Sequence, residues 1–131
     1  MASGLVRLKT RADFVRVAAK GRRAVRAGFI LQAAPQPAET GDGGTVRVGF
    51  TASRKVGNSV IRNRAKRRLR AVAAEVIARS GRPGTDYVLI ARSTTGGRAY
   101  TELLADLETA LHQVERGPRE SRVRRPEEVR T

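Results

Sequence analysis

Apolar and polar positions in the first third of the chain predict a short helix followed by extended segments. Thr10 and Asp13 form an N-terminal capping pattern, and Gly21 ends the helix. Three apolar positions follow helical spacing within it: Phe14, Val17 and Ala18. The following segment bends at Gly28 and predicts a strand over residues 29–34.

The middle of the chain changes from the period of a strand to that of a helix. Residues 35–45 collect Pro, Gly and Asp and predict a surface loop. Residues 45–53 alternate between polar side chains and three core-facing apolar ones: Val46, Val48 and Phe50. After Gly57 the apolar positions recur at helical spacing until about Ser80. The apolar arc of this helix consists of Ile61, Ala65, Leu69, Val72 and Val76.

The last third predicts a strand, a helix and a tail. Residues 86–91 form a short apolar run typical of a buried strand. An amphipathic helix follows, with its core side formed by Tyr100, Leu103, Leu104, Leu107, Leu111 and Val114. Its solvent side carries Glu102, Asp106, Glu108 and Glu115. Residues 116–131 contain nine charges and two prolines, which predicts a disordered tail after a single domain over 1–115.

The charge of the chain is concentrated in its first half. Lys and Arg total 27 against 12 Asp and Glu, a net charge of +15. Residues 1–70 hold 17 basic and 3 acidic residues, whereas residues 71–131 hold 10 and 9. This asymmetry predicts one basic surface that binds a polyanion. No apolar run is long enough to span a membrane and no secretory signal is visible, so we expect a cytoplasmic protein.

Side chains that could perform catalysis are sparse. The chain has no Cys and a single histidine, His112, which excludes disulfides, thiolate zinc sites and histidine metal clusters. The basic half offers only three carboxylates, and Asp13 is explained as a helix cap while Glu39 and Asp42 fall in the predicted loop. We therefore expect no catalytic residue and no metal site in the protein itself.

Residues 53–70 contain eight basic residues and no acidic one. Like charges three or four positions apart repel by a few tenths of a kcal/mol per pair, and a solvated helix face normally interleaves both signs. Nucleic-acid phosphates supply the missing counter-charge. Gly57 predicts the turn into the helix and Asn58 or Ser59 its cap, which places Arg54 and Lys55 beside the helix N-terminus.

Residues 55–70, KVGNSVIRNRAKRRLR, closely resemble the signature of the bacterial ribonuclease P protein subunit, including its Arg-Asn-Arg element. Further similarity lies in RLKTRADF near the start, in GRR at 21–23, in the strand-to-helix passage before the signature, and in DYVLIAR at 86–92. The resemblance covers about residues 5–115.

The resemblance implies an α/β fold of the α+β sandwich type. A small mixed four-stranded sheet packs with about three helices, and a left-handed βαβ crossover runs through the basic helix. The protein would join a catalytic RNA, bind the 5′ leader of precursor tRNA and assist endonucleolytic removal of that leader. The cofactor would be Mg²⁺ held chiefly by the RNA, and neither DNA nor a membrane is expected as a partner.

The resemblance also implies two groups of site residues. Contacts with the catalytic RNA would come from Arg62, Asn63, Arg64, Lys66, Arg67 and Arg70. A cleft for the leader would be lined by Phe14, Arg47, Thr51 and Lys55. Ala18 and Gln32 depart from the family, because they stand where its members often carry aromatic residues. Phe14 is then the main candidate for base stacking, although a core position beside Val17 would also explain it.

Two other functions are compatible with parts of this pattern. A ribosomal or general RNA-binding protein would show the same charge, and only the resemblance favours the ribonuclease P subunit over it. An autonomous nuclease would need an acidic or histidine cluster next to the basic surface, which the sequence does not provide.

Overall fold

The computed structural model describes residues 5–37 and 45–123, with side chains described as far as residue 115. Five strands and three helices follow one another as β1 (Leu5–Arg7), α1 (Arg11–Lys20), β2 (Arg22–Val25), β3 (Phe29–Pro35), β4 (Val46–Thr51), α2 (Ser59–Ser80), β5 (Thr85–Ala91) and α3 (Tyr100–Val123). A short 3-10 turn, Arg54–Val56, lies between β4 and α2. Most of the predicted loop over 35–45 falls outside the described residues.

The strands form one mixed sheet in the order β1-β4-β5-β3-β2. The predicted α+β class is confirmed, but the expected four strands are wrong, since the described residues form five. The additional strand β1 pairs parallel to β4 over only Leu5 to Arg7. Three residues are too few for a period of two to be visible in the sequence. β4 and β5 are parallel neighbours joined through α2, and the left-handed sense of this crossover stays a prediction.

Helices cover both faces of the sheet. α2 and α3 pack on one face, and the main core there includes Phe29, Leu31, Leu69, Tyr87, Leu103 and Leu107. α1 packs on the other face, where a smaller core contains Leu8, Val17, Ala34 and Val88. The α1 face carries the second set of alternating strand positions and is only partly covered. Among the described residues, no helix combines the length and apolarity needed to cross a membrane.

The predicted helix starts are confirmed in atomic detail. Thr10 Oγ1 accepts a hydrogen bond from the Asp13 amide at 3.2 Å and donates to the Asp13 carboxylate at 2.9 Å, a reciprocal cap for α1. Asn58, not Ser59, caps α2, because its Oδ1 accepts from the Ile61 amide at 3.0 Å. Gly57 has a φ of +150°, a conformation that side chains disfavour.

The acidic side of α3 differs from the prediction at one position. Asp106 is 4% exposed and accepts hydrogen bonds from Arg98 Nε at 2.7 Å and from the Gly28 amide at 3.2 Å. The start of α3 lies over the turn between β2 and β3, so this carboxylate faces the protein. α3 continues to Val123, past the predicted domain boundary at 115, and residues 124–131 of the predicted tail lie outside the described residues.

Candidate nucleic-acid interface

The six residues predicted to contact RNA lie together on the first three turns of α2, and we call them the basic ridge: Arg62, Asn63, Arg64, Lys66, Arg67 and Arg70. Ala65 and Leu69 on the opposite side of these turns are fully buried in the main core. Their burial fixes the rotation of the helix. Asn63, Arg64 and Arg67 are consequently exposed, and the remaining three ridge residues are half-buried at its flanks.

The basic ridge has no neutralising carboxylate within the described part of the chain. The ion pairs found there involve Arg16, Arg47, Arg79 and Arg98, none of which belongs to the ridge. Arg62 donates from Nη1 to the Gly57 carbonyl at 3.1 Å, which tightens the start of the helix without removing charge. The ridge therefore presents uncompensated positive charge beside exposed hydrogen-bond donors, as phosphate binding requires.

Arg68 lies on the same turns of α2 but has a different role. Its Nη1 donates to the carbonyls of Thr95 at 2.8 Å and Gly96 at 2.9 Å, in the segment between β5 and α3. Thr95 is fully buried and its hydroxyl donates to the Gly28 carbonyl at 2.6 Å. Arg68 thus ties the basic helix to the end of the sheet. The sequence shows only one more arginine in a basic run and gives no sign of this role.

The α1 face of the sheet is built from rows of side chains that run across the strands. One row, in register, joins Val25, Ile30, Ile90 and Thr51. We call this open part of the face, together with the α1 side chains that border it, the sheet cleft, and the row is its floor. Val25 is 52% exposed and the other three are half-buried. No charged side chain interrupts this row, so the floor suits the faces of unstacked bases.

Phe14 stands where α1 borders the sheet cleft. Its ring lies over Gly49, where an added Cβ would come within 2.5 Å of two ring atoms. The ring is half-buried and packs against the smaller core, so its position combines the two roles that the sequence allows. Thr51 lies two positions further along β4, in the cleft floor. Lys55 is exposed in the 3-10 turn that follows and lies between the cleft and the basic ridge along the chain.

Arg47 lies under α1 instead of in the open cleft. Its Nε and Nη2 donate to the two carboxylate oxygens of Asp86 at 2.8 and 2.7 Å, and Arg16 also bonds this carboxylate. Asp86 is fully buried, while Arg47 and Arg16 are 18% and 19% exposed. The hydrogen bond to Asp86 raises the pKa of Arg47. The structure therefore places Phe14 and Thr51 at the cleft and Lys55 in the exposed turn that follows, and it assigns Arg47 to an internal ion pair.

This ion pair was not among the features predicted from the sequence. A detectable signal was present, since Asp86 opens an otherwise apolar strand and a buried carboxylate requires a cationic partner. Asp13 borders the same cluster at 3.5 Å from Arg47. Burial raises the pKa of Asp13, but the Thr10 hydrogen bond and the charges of Arg47 and Arg16 outweigh it and hold that pKa below 3.8.

The two departures from the family have different surroundings. Ala18 is exposed on α1, four residues after Phe14. Gln32 is in the middle of β3 and only 7% exposed. His112 is exposed on α3. Across residues 5–37 and 45–123, no group of three or more His, Cys, Asp or Glu side chains is placed to hold a metal ion.

Comparison with known proteins identifies the family of this chain. The Ribonuclease P family model matches residues 3–115. The ribonuclease P protein component of Paramagnetospirillum magneticum is 53% identical over 114 residues, covering 87% of this chain and 86% of the relative. The Ruegeria pomeroyi component is 49% identical and covers 86% and 88%. The solved RNase P protein of Staphylococcus aureus superposes with a TM-score of 0.65 at 28% identity, covering 81% of this chain and 92% of that one.

Proposed function

The chain belongs to the ribonuclease P protein family, and on that premise we propose that it is the protein subunit of a cytoplasmic ribonuclease P. In this role it binds a catalytic RNA and the 5′ leader of precursor tRNA, and assists the endonucleolytic removal of that leader. The observation that carries the proposal is the basic ridge, whose charge has no carboxylate partner among the described residues. Such a surface is stable once phosphates neutralise it.

The basic ridge and the sheet cleft each bind a different polyanion. The basic ridge docks on the folded catalytic RNA, because exposed Arg64 and Arg67 offer forked donors to phosphates. The sheet cleft takes the leader, because a single strand leaves base faces free to lie on Phe14 and on the aliphatic floor. Lys55 stands between them and contacts the leader backbone. In this proposal the protein positions RNA and performs no step of the hydrolysis.

Mg²⁺ belongs to the RNA in this proposal. The described carboxylates fit a protein-bound metal poorly, because Asp86 and Asp106 are each bonded by arginines and no cluster of three ligands forms. We therefore assign no described residue as a metal ligand. The protein's contribution to metal binding is indirect: positive charge between the catalytic RNA and its substrate lowers their repulsion and lets the RNA fold around its ions.

One assay separates this function from its two rivals. Precursor tRNA is incubated at low Mg²⁺ with the protein alone, with the catalytic RNA of the same organism alone, and with both. Cleavage at the mature 5′ end only in the combined reaction supports the proposal. Cleavage by the protein alone indicates an autonomous nuclease, and binding without any stimulation of cleavage indicates a general RNA-binding protein.

Two substitutions locate the surfaces within that assay. Arg64→Ala is expected to weaken association with the catalytic RNA, whereas Phe14→Ala is expected to reduce the preference for precursor over mature tRNA. Arg79→Ala is the matched control, because Arg79 lies at the far end of the same helix and pairs with Glu108 on the surface. Equal effects of the first two variants on both measurements would contradict the division between ridge and cleft.

A further inference from the structure

A chain of hydrogen bonds that starts at Arg68 connects the basic helix to the sheet cleft. Its first link joins α2 to the segment between β5 and α3, where Arg68 Nη1 donates to the carbonyls of Thr95 at 2.8 Å and Gly96 at 2.9 Å. Arg68 is half-buried and forms no ion pair with a described carboxylate. Its guanidinium is therefore held by backbone carbonyls from a distant part of the chain.

The second link joins this segment to the turn between β2 and β3. Thr95 is fully buried, and its hydroxyl donates to the Gly28 carbonyl at 2.6 Å. The side chains of Arg92 and Thr94 donate to the carbonyls of residues 26 and 27 of the same turn. Three consecutive carbonyls of the turn thus accept hydrogen bonds from one segment, which fixes the turn and the segment to each other.

The turn leads directly into the floor of the sheet cleft. The Arg26 amide donates to the Phe29 carbonyl at 2.9 Å and closes the turn. Val25 and Ile30, the floor residues of β2 and β3, are paired immediately beside it. A displacement of the turn therefore displaces the floor. Through the two links, the position of this floor depends on the position of Arg68 on α2.

The other contacts of the first turns of α2 do not replace this connection. Ala65 and Leu69 are buried in the main core, but apolar packing is non-directional. Arg62 bonds the Gly57 carbonyl at the start of the same helix and reaches no other element. Arg68 adds directional hydrogen bonds between two elements. Directional contacts are needed wherever reacting groups must meet, since a misplacement of about 1 Å can lower a rate about a hundredfold.

We infer that Arg68 is a positioning residue for the processing of precursor tRNA. Through Thr95 and the β2–β3 turn it holds the basic ridge in a fixed orientation relative to the sheet cleft, so that the catalytic RNA and the leader are bound in a defined relation. This inference rests on the proposed function, since it requires both surfaces to hold RNA in one complex. Loss of the connection lowers the preference for a leader without removing a contact to either RNA.

The test measures two quantities in the full chain. One is the dissociation constant of the protein and the catalytic RNA, and the other is the leader preference of the assembled complex, defined as the dissociation constant of mature tRNA divided by that of precursor tRNA. Arg68→Met removes the first link. Thr95→Val removes the second link and leaves every positive charge in place, whereas Thr95→Ser keeps the hydroxyl. The controls are Arg67→Met, which removes charge from the adjacent ridge residue, and Ile77→Val, which loosens the core under the far end of α2.

We expect Arg68→Met and Thr95→Val each to lower the leader preference by about fivefold, an effect typical of residues that couple two sites. The double variant should also lose about fivefold, because the connection is already broken in each single variant. Thr95→Ser and Ile77→Val should stay within about twofold of the wild type. Arg67→Met should show the opposite pattern, with weaker binding of the catalytic RNA and a retained leader preference at saturating protein.

Three results would overturn the inference. The first is an unchanged leader preference in both single variants. The second is a loss in Arg68→Met that is absent in Thr95→Val, which would indicate that Arg68 contacts RNA directly. The third is a double variant whose loss is the product of the two single losses, which would indicate two independent roles. If Thr95→Val does not fold, Thr95→Ala breaks the same link and is judged by the same criteria.

A wild-type complex that does not prefer precursor over mature tRNA is a different result. It would remove the proposed function itself, and the positioning role of Arg68 with it.

Discussion

Replacing Asp86 by Asn tests the ion pair that holds α1 against the sheet. The substitution keeps the shape of the side chain and removes its charge, so Arg47 and Arg16 lose the carboxylate that they share. Both arginines then keep only the partly exposed carboxylate of Asp13, which lies 3.4 Å from Arg16 and 3.5 Å from Arg47. Because α1 forms one wall of the sheet cleft, this perturbation acts on stability and on leader binding together.

The expected cost follows from the burial of the three groups. Removing one partner of a fully buried ion pair costs about 3 to 5 kcal/mol. Asp86 is fully buried, but the arginines keep 18% and 19% of their side-chain exposure and water relieves part of the penalty. We therefore expect a loss of about 2 to 3 kcal/mol in the free energy of unfolding. For a domain of this size, the thermal midpoint then falls by roughly 10 °C.

Urea denaturation followed by circular dichroism measures this loss directly. The control is Glu108→Gln, which breaks an ion pair with Arg79 in which both side chains are more than half exposed. That variant should cost at most about 0.5 kcal/mol. In the assembled complex, Asp86→Asn should also lower the preference for precursor over mature tRNA more than it weakens binding to the catalytic RNA.

The same loss of stability in Asp86→Asn and Glu108→Gln would contradict this role of Asp86. Equal losses would mean that Asp86 is not held by its arginines in the folded protein, or that solvent reaches the cluster freely. A large loss of stability with unchanged leader preference would be equally informative. It would show that the packing of α1 on the sheet does not determine how the cleft binds the leader.

Three further predictions concern the cleft, the ridge and the cap of α1. Gly49→Ala should lower the free energy of unfolding by about 1 to 3 kcal/mol and reduce the preference for precursor over mature tRNA, because the added Cβ displaces the ring of Phe14. Unchanged values in the unfolding and binding assays would contradict the contact between Gly49 and Phe14. Replacing both Arg64 and Arg67 by Ala should weaken the salt dependence of RNA binding. The slope of log affinity against log salt concentration, near −4 in the wild type, should become shallower by about 1.4, at about 0.7 per phosphate contact. An unaltered slope would exclude both arginines from the interface. Asp13→Asn should destabilise the protein at neutral pH and have no effect in acid. The lowered pKa of Asp13 stabilises the fold above pH 3.8, and this contribution disappears as the pH falls through the pKa of Asp13 in the folded protein. A difference in unfolding midpoint that does not change with pH would refute this.

Local chemistry explains which parts of the fold could be predicted. The cap of α1 and the turn at Gly57 depend on neighbours within a few residues, and both are confirmed. The predicted apolar arc of α2 is buried from Ala65 to Val76, but the core position predicted for Ile61 is wrong, since that side chain is 45% exposed. β1 could not be predicted, because a three-residue strand exists only through its pairing with β4. Asp106 was placed on the solvent side because a helical wheel does not show the β2–β3 turn that covers it.

The candidate site divides in the same way. The basic ridge is a property of one helix, so its charge and spacing are visible in the linear sequence. The sheet cleft is assembled from positions on α1 and four strands, and which of its members are free depends on long-range partners. Arg47 was predicted to line the leader cleft, yet Asp86 holds its guanidinium in an internal ion pair. Arg68 is one of the eight basic residues of 53–70, and the Thr95 carbonyl holds it against the protein.

By itself, the sequence determined most of the helices and strands and the position of the ridge, and it predicted a polyanionic partner, because charge and periodicity are local quantities. Only the tertiary structure decided which basic side chains are committed internally and how much of the α1 face stays open. Those properties arise from burial and hydrogen bonding between residues far apart in the chain, which no pattern of neighbours contains.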